Sequence, residues 1–422
     1  MRTEAEGRSR RSPVVIRTLV LTPDYPPALG GIQRLVHRLL GSAPGLRAHV
    51  VAPDTPGAAA FDRGEGPAVR RVRVPPGPRA LEVAALNLAA LRQARPFAPQ
   101  VVLSAHVVVA PAAVAVGRAL GVPVVQYFHA NEIGHRPRLA GFAARNADRG
   151  VAVSRYTRDL VLGVGGPAER IEIIHPGVDL PPLRGRTESP GRPTVLTISR
   201  IEQRYKGHDV MVRAMALVAE RVTEVQWVVI GDGALRAEIA DLARAAGLGD
   251  DTVRFLGAVG DRERDAWLAR ADVFAMPSRL PGGHLAGEGF GIVYLEAAAH
   301  GCPVVAGAVG GALDAVEDGV TGLLVDPTDH RAVAAALVAL LEDRPRRERM
   351  AAAAAQRARR FAWPRVAAEL EATIADLVHR EPRGGRPNIR SAGQRTTAVG
   401  GRTNAEGQAA AEGWTAAEGW PD

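Results

Sequence analysis

The chain has 422 residues, 46% hydrophobic and 23% charged, which is enough for two domains with full cores. Its formal net charge is +8, so anionic partners such as phosphorylated ligands or an anionic lipid surface are favoured. Aromatic residues are only 4% and no zinc-finger spacing is present, which excludes nucleic acid as the expected partner; the single cysteine, Cys302, excludes an intramolecular disulfide and any Cys-cluster metal site. No apolar signal core follows the charged start Met1–Ser12. Val14–Leu21 is a short apolar run that reads as a buried parallel strand, ending at Pro23-Asp24-Tyr25-Pro26-Pro27 and Gly30-Gly31. Further strand-like runs fall at His49–Ala52, Val69–Val74, Gln100–Leu103, Val122–Tyr127, Gly150–Val153 and Arg170–Ile174. Helical patterns fall between them at Ile32–Leu40, Ala80–Arg95, Val108–Leu120 and Tyr156–Leu162. Val101–Ala115 is broken by Ser104, His106 and Pro111, too short for a membrane span, so a soluble cytoplasmic protein, or one peripheral at the inner membrane face, is expected.

Leu180–Pro193 is rich in Pro, Gly and Arg and reads as an interdomain linker. A second alternating series follows, with strands at Thr194–Ile198, Gln226–Ile230, Val253–Leu256, Val273–Met276, Pro303–Ala306 and Gly322–Val325. Its helices are His208–Glu220, Ala234–Ala246, Asp261–Arg270, Ile292–His300 and His330–Leu341. Alternation of this kind predicts an α/β fold: two Rossmann-like domains in tandem, with a ligand in the cleft at the carboxyl ends of the strands. The first spans residues 13–180 and the second residues 191–345. Helical patterns recur at Arg346–Arg360 and Trp363–His379, and the latter is expected to complete the first domain. From Arg380 the composition turns to Gly, Arg, Ser, Thr, Gln and Ala, and a disordered tail over 380–422 is expected.

One lysine, Lys206, stands among arginines in Ser199-Arg200-Ile201-Glu202-Gln203-Arg204-Tyr205-Lys206-Gly207-His208-Asp209. It is either a remnant of skewed codon usage or a site that needs a compact point charge rather than a planar fork. Gly30-Gly31-Ile32, between a strand and a helix, suits either phosphate approach to backbone N–H groups or tight packing. Gly287-Glu288-Gly289-Phe290-Gly291-Ile292-Val293-Tyr294-Leu295-Glu296 says more. A helix starting near Gly291 can offer free N–H groups to an anion. Glu288 can reach a polyol, and Glu296, about two turns further on, can accept from vicinal hydroxyls. With Leu295, Ala297, Ala298 and Ala299 around it, the Glu296 carboxylate needs a partner or a ligand.

This Glu-x7-Glu spacing resembles the signature of the retaining nucleotide-sugar glycosyltransferases of family 4, which have the GT-B fold. Ser199-Arg200 to Lys206-Gly207 is similar to that family's diphosphate clamp. Ala271–Ser278, Glu296–Ala306, Gly310-Gly311, Gly319–Gly322 and His175–Asp179 match further segments, so the resemblance runs roughly from Val14 to Val378. Phe274–Ala306 is most similar to the actinobacterial phosphatidylinositol mannosyltransferases. The resemblance implies that the first domain binds the acceptor and the second a nucleoside-diphosphate sugar, UDP- or GDP-linked. It implies that Arg200 and Lys206 grip the diphosphate, that Gly31 touches a phosphate from the opposite domain, and that the backbone at Phe290, Gly291 and Ile292 meets the distal phosphate. Glu288 would bind the sugar hydroxyls, Glu296 the ribose, and His129 would lie near the anomeric carbon. The clamp here takes six steps where many members take five, and His129 is followed by Ala-Asn where the mannosyltransferases have Gly-His. Asp272 and Asp314 form no Asp-x-Asp pair, so no catalytic metal and no other cofactor is expected.

The expected reaction is hexosyl transfer to a hydroxyl of an inositol-lipid acceptor or of a small secondary metabolite. A basic amphipathic helix in the first domain would favour the lipid; Ile32–Leu40 offers only Arg34, His37 and Arg38 on its polar side and leaves the two acceptors open. A nucleotide-sugar epimerase, a phosphorylase or a non-catalytic binding protein are the competing readings. A phosphorylase would need the single lysine for pyridoxal, and a binding protein need not keep both glutamates.

Overall fold

A computed structural model describes residues 15–64, 66–74, 77–181, 191–280 and 287–379. The predicted tail from Arg380 and most of the predicted linker lie outside the described residues. The first half alternates strictly: β1 (Ile16–Leu21), α1 (Gly31–Gly41), β2 (Leu46–Pro53), α2 (Ala58–Phe61), β3 (Ala68–Val72), α3 (Arg79–Phe97), β4 (Val101–Ser104) and α4 (Ala110–Leu120). It continues with β5 (Val124–Phe128), α5 (Ala130–His135), α6 (Pro137–Asn146), β6 (Arg149–Ala152), α7 (Arg155–Gly163) and β7 (Ile171–Ile173). The strands form one parallel sheet in the order β3-β2-β1-β4-β5-β6-β7. Every residue of β4 and β5 is buried, because helices cover both faces of the sheet. α1 buries Leu35, Val36, Leu39 and Leu40, one stripe at helical spacing.

The second half repeats the plan with β8 (Thr194–Ile198), α8 (His208–Arg221), β9 (Gln226–Ile230), α9 (Arg236–Ala245), β10 (Val253–Gly257), α10 (Asp261–Arg270) and β11 (Val273–Met276). Then come α11 (Ile292–Ala299), β12 (Val304–Gly307), α12 (Ala312–Ala315), β13 (Gly322–Val325), α13 (His330–Glu342), α14 (Arg344–Ala358) and α15 (Trp363–His379). Its parallel sheet runs β10-β9-β8-β11-β12-β13. In each sheet the order reverses once, between β1 and β4 and between β8 and β11. Those switch points open crevices at the strands' carboxyl ends. Gly30-Gly31 follows β1, His106 follows β4, Lys206 follows β8 and Glu288 follows β11, so topology alone delivers all four to one cleft.

The chain crosses between the domains twice, side by side. The Val178 N–H donates to the Phe361 carbonyl at 2.8 Å. A methyl group at Gly177 would collide with the Trp363 ring, so the two crossings can approach this closely only with glycine there. Beyond the second crossing, α15 returns to the first domain. It buries Trp363, Val366, Ala367, Leu370 and Ile374, and Glu371 accepts from the Gly45 N–H at 2.7 Å.

α5 and α6 were not anticipated. Ala130–Asn146 mixes charged and small residues around Pro137, so it carries no apolar period of its own. α6 nevertheless buries Ala140, Gly141, Ala143 and Ala144 as a small-residue face.

Candidate active site

The loop of residues 287–291, just before α11, carries Glu288 into the cleft. Gly291 caps α11 with φ at 83°, in the left-handed region, and a methyl there would collide with the Tyr294 ring. α11 has no side-chain cap and no acidic residue in its first turn, so its leading N–H groups are open to an anion. The Tyr294 hydroxyl fixes the helix to the end of β11 by donating to the Met276 carbonyl at 2.8 Å. α1 is uncapped in the same way, with no acid in its first turn. The two helix starts face each other: a methyl added to Gly31 would lie 4.0 Å from Cδ1 of Ile292. Phe290 turns inward and stacks on His175 at 5.2 Å between ring centres, so only its backbone faces the cleft.

First-domain residues hold this loop. The Ser154 hydroxyl donates to the Gly289 carbonyl at 2.6 Å while accepting from the Thr157 N–H at 3.0 Å, capping α7. Arg155 next to it forms an ion pair and a backbone hydrogen bond with the buried Asp314. From the second domain, the Gly311 N–H donates to the Glu288 carbonyl at 2.8 Å.

Lys206 lies in this loop's reach and pairs with Glu288. Only 14% of its side chain is exposed. Burial lowers its pKa, but the Glu288 carboxylate and Tyr205 together more than offset this and hold it above the ordinary lysine value. The ammonium is therefore charged. The six-step clamp is accommodated by a single 3₁₀ turn, Arg204–Lys206, followed by Gly207 at φ 79°. His208, next in the chain, is pushed down to about 4 by burial and by Lys206, so its imidazole stays neutral beside the Ser199 hydroxyl at 3.0 Å. Arg200 is not gathered with Lys206: 64% of its side chain is exposed, and its nearest ionic partner is Glu202 at 3.6 Å.

Glu296 has protein partners, which answers the expectation that it needs a partner or a ligand. Arg264 of α10 and Arg34 of α1 both reach Oε1, at 3.3 and 3.2 Å. Arg34 also pairs with Asp179 at 3.1 Å, and Arg38 shares the same Asp179 oxygen at 3.3 Å. The polar face of α1 is thus occupied by Asp179 and Glu296, and the lipid-facing role weighed for it loses both of its arginines.

His129 is 8% exposed and its Nε2 donates to the Ala105 carbonyl at 3.1 Å. Burial pushes its pKa down to about 4, so it acts as a neutral group. Its N–H donates at 3.0 Å to Glu132, whose other oxygen accepts from the Val107 N–H at 2.8 Å and meets His106 Nδ1 at 3.0 Å. Glu132 thereby ties the ends of β4 and β5 together beneath the cleft. A methyl on Gly289 would lie 3.4 Å from the Ala130 Cβ, which places the residue after His129 against the Glu288 loop.

The predicted residues Gly31, Lys206, Glu288, Gly291, Ile292 and Glu296 are therefore brought to one cleft, with His129 beneath it and Arg200 at its rim. Arg34, Arg264, Ser154 and Glu132 escaped sequence reasoning as site residues. Arg34, Arg264 and Ser154 act on groups far away in sequence, which no spacing rule announces; Glu132 stands three residues after His129 in a capping box, a spacing that could have been read. Among the described residues no cluster of three or more His, Cys, Asp or Glu side chains could hold a metal, and no helix is long and apolar enough to cross a membrane.

Two parallel-sheet domains, two facing uncapped helix starts and the Glu-x7-Glu loop define a GT-B glycosyltransferase. Residues 29–181 match the family described as Glycosyltransferase Family 4, and residues 183–357 match Glycosyl transferases group 1. The GDP-mannose-dependent alpha-(1-6)-phosphatidylinositol monomannoside mannosyltransferase of Mycobacterium tuberculosis is 36% identical over 384 residues, 84% of this chain and 97% of that protein. A D-inositol 3-phosphate glycosyltransferase of Xylanimonas cellulosilytica is 39% identical over 243 residues, 53% of this chain and 55% of its own. The chain belongs to this family of glycosyltransferases. Among solved structures, Anabaena HepE in complex with UDP and glucose superposes with a TM-score of 0.72 at 23% identity, over 86% of this chain and 100% of that one. Sucrose-phosphate synthase of Thermosynechococcus elongatus does so with a TM-score of 0.73 at 21% identity, over 86% and 99%.

Proposed function

We propose that this glycosyltransferase moves a hexose, mannose in the first instance, from a nucleoside-diphosphate sugar to a hydroxyl of an inositol-containing acceptor, with retention of anomeric configuration and without a metal. The observation that carries this reading is the pair of uncapped helix starts, one from each domain, converging beside the buried cation Lys206. Diphosphate departure builds negative charge, and a site without a metal must neutralise it with fixed N–H dipoles and cations. In the free protein Glu288 holds Lys206 in place. A bound diphosphate supplies the replacement anion and frees Glu288 to accept from sugar hydroxyls.

Arg200 sits at the exposed rim on the same β8–α8 segment and adds a second cation on closing over the donor. Glu296 accepts from the ribose hydroxyls. His129, neutral and wedged under the loop, shapes the sugar pocket rather than moving a proton. The proton of the attacking hydroxyl passes to the departing phosphate on the same face of the sugar as that phosphate leaves. GDP-mannose and an inositol acceptor are the first choices because the relatives' names specify them.

The test is incubation with GDP- and UDP-hexoses and with inositol lipids, inositol phosphate or hydroxylated secondary metabolites, with product anomers assigned by NMR. Lys206→Ala is expected to keep its fold by circular dichroism and to lose transfer by ~10²- to 10³-fold. Retention of more than about a tenth of wild-type turnover would remove Lys206 from the role. An inverted anomer would overturn the same-face step alone.

A further inference from the structure

We propose that Arg34 of the first domain is a positioning residue for the donor site in the second: it holds one oxygen of Glu296 so that the other is presented to the ribose. This rests on the reading of Glu296 as the ribose-binding carboxylate. Nη1 of Arg34 lies 3.2 Å from Glu296 Oε1, and Nη2 lies 3.1 Å from Asp179 Oδ2. The planar guanidinium thus spans two carboxylates, one in each domain, with its two nitrogens in fixed relation. Arg264 approaches the same Oε1 at 3.3 Å. Among the described residues the hydrogen bond and both of the ion pairs to Glu296 have their closest approach at Oε1, not Oε2.

Two cations on one oxygen stop the carboxylate rotating. They leave one acceptor oxygen with its lone pairs aimed at a pair of vicinal hydroxyls. Arg34 is itself braced on the opposite side: Arg38 shares its Asp179 oxygen at 3.3 Å, and Asp261 stands 3.9 Å from Nη1. Burial tends to lower the Arg34 pKa and the surrounding carboxylates more than restore it. The consequence is that donor affinity depends on the two domains being closed. Arg34 reaches Glu296 only across the cleft, so an open conformer presents a looser carboxylate to the nucleotide.

The experiment uses the full chain and measures calorimetric Kd values for GDP and UDP and for their 2′-deoxy analogues, together with donor KM and kcat. Arg34→Met keeps the aliphatic stem and removes the cation. It is expected to weaken the preferred nucleoside diphosphate and raise donor KM by about tenfold, with kcat changed less than threefold and the melting temperature kept within a few degrees. Arg34→Lys is expected to recover only part of the loss, because an ammonium cannot serve Asp179 and Glu296 together. Unchanged affinity and KM in Arg34→Met overturns the proposal. Tighter nucleotide binding also overturns it, because Arg34 would then compete with the ribose. The underlying reading is tested separately. Glu296→Gln should shrink the affinity gap between ribo- and 2′-deoxy-nucleotide; an unchanged gap removes Glu296 from the ribose whatever Arg34 does.

Discussion

At the scale of single residues, the proton on Glu132 is the least expected feature of the cleft floor. His106 Nδ1 accepts from the Val108 N–H at 3.2 Å, so that nitrogen carries no proton of its own. Its 3.0 Å contact with Glu132 Oε2 is a hydrogen bond only if the carboxyl supplies the hydrogen. Burial raises the Glu132 pKa from 4.5 to about 8, with the Val107 and His129 N–H groups and Arg136 pulling the other way and Asp24 adding to it. A folded pKa above the unfolded one gives stability that is complete below about 4.5 and lost as pH rises through about 8. His129 runs the opposite way: its folded pKa is lowered from 6.5 to about 4, so its contribution is lost as pH falls through that window. Glu132→Gln keeps a neutral donor and acceptor of the same shape. Between pH 5 and 8 its melting temperature should fall less than that of the wild type, with a divergence worth a few kcal/mol. Parallel curves would show that Glu132 is ionised throughout.

The single lysine belongs at this scale too. Its ammonium fits between the Glu288 carboxylate and the Tyr205 ring, 5.0 Å from the ring centre, in a space closed by the Gly207 turn against Pro277. A guanidinium is wider and planar, so Lys206→Arg should keep the charge and still lose transfer by about tenfold, measured as kcat with saturating donor.

Elements were legible where they bury a continuous or periodic apolar face. Thr194–Ile198, Gln226–Ile230, Val273–Met276, Gly322–Val325 and the helices Asp261–Arg270 and Trp363–His379 lie where the pattern put them. Other boundaries moved by one to three residues, as expected of ends set by caps rather than by burial. α6 was illegible because it buries alanine and glycine, which leave no hydrophobic signature, and α5 because six residues that bury Ala130, Glu132 and Ile133 are too short to show a period. The Glu-x7-Glu loop was legible as a motif because both its ends lie on one short segment. Its supports were not: Ser154, Arg34 and Gly311 come from three distant parts of the chain. At this scale Gly291→Ala tests the loop. A β-carbon at φ 83° costs about 1–2 kcal/mol in backbone strain before the Tyr294 ring is displaced. The variant should melt several degrees lower and lose most of its transfer, whereas an unaffected variant would mean that α11 can start elsewhere.

Across the whole molecule, directional contacts join the two domains at the loop beside an apolar cluster that includes Phe290. Ser154 to Gly289, Arg155 to Asp314 and Arg34 to Glu296 each join first-domain groups to the donor-side loop and helices. Ser154→Ala removes the tether and the α7 cap together. It should cost about 1 kcal/mol of stability, raise donor KM, and be restored by Ser154→Thr, which keeps the hydroxyl. A KM rise that Thr fails to restore would point to packing instead.

The return of α15 to the first domain has a consequence for how the protein comes into being. Synthesis runs from the amino end, so α1 and β2 leave the ribosome long before Trp363–His379 exists. Until then the Gly45 N–H lacks its Glu371 partner, and the apolar stripe that Trp363, Val366, Leu370 and Ile374 will cover faces water. The second domain, whose strands and helices are contiguous in sequence, can close first. The domain that is made first is therefore finished last, and a nascent chain arrested before α15 should show a protease-resistant second half beside a cleavable first.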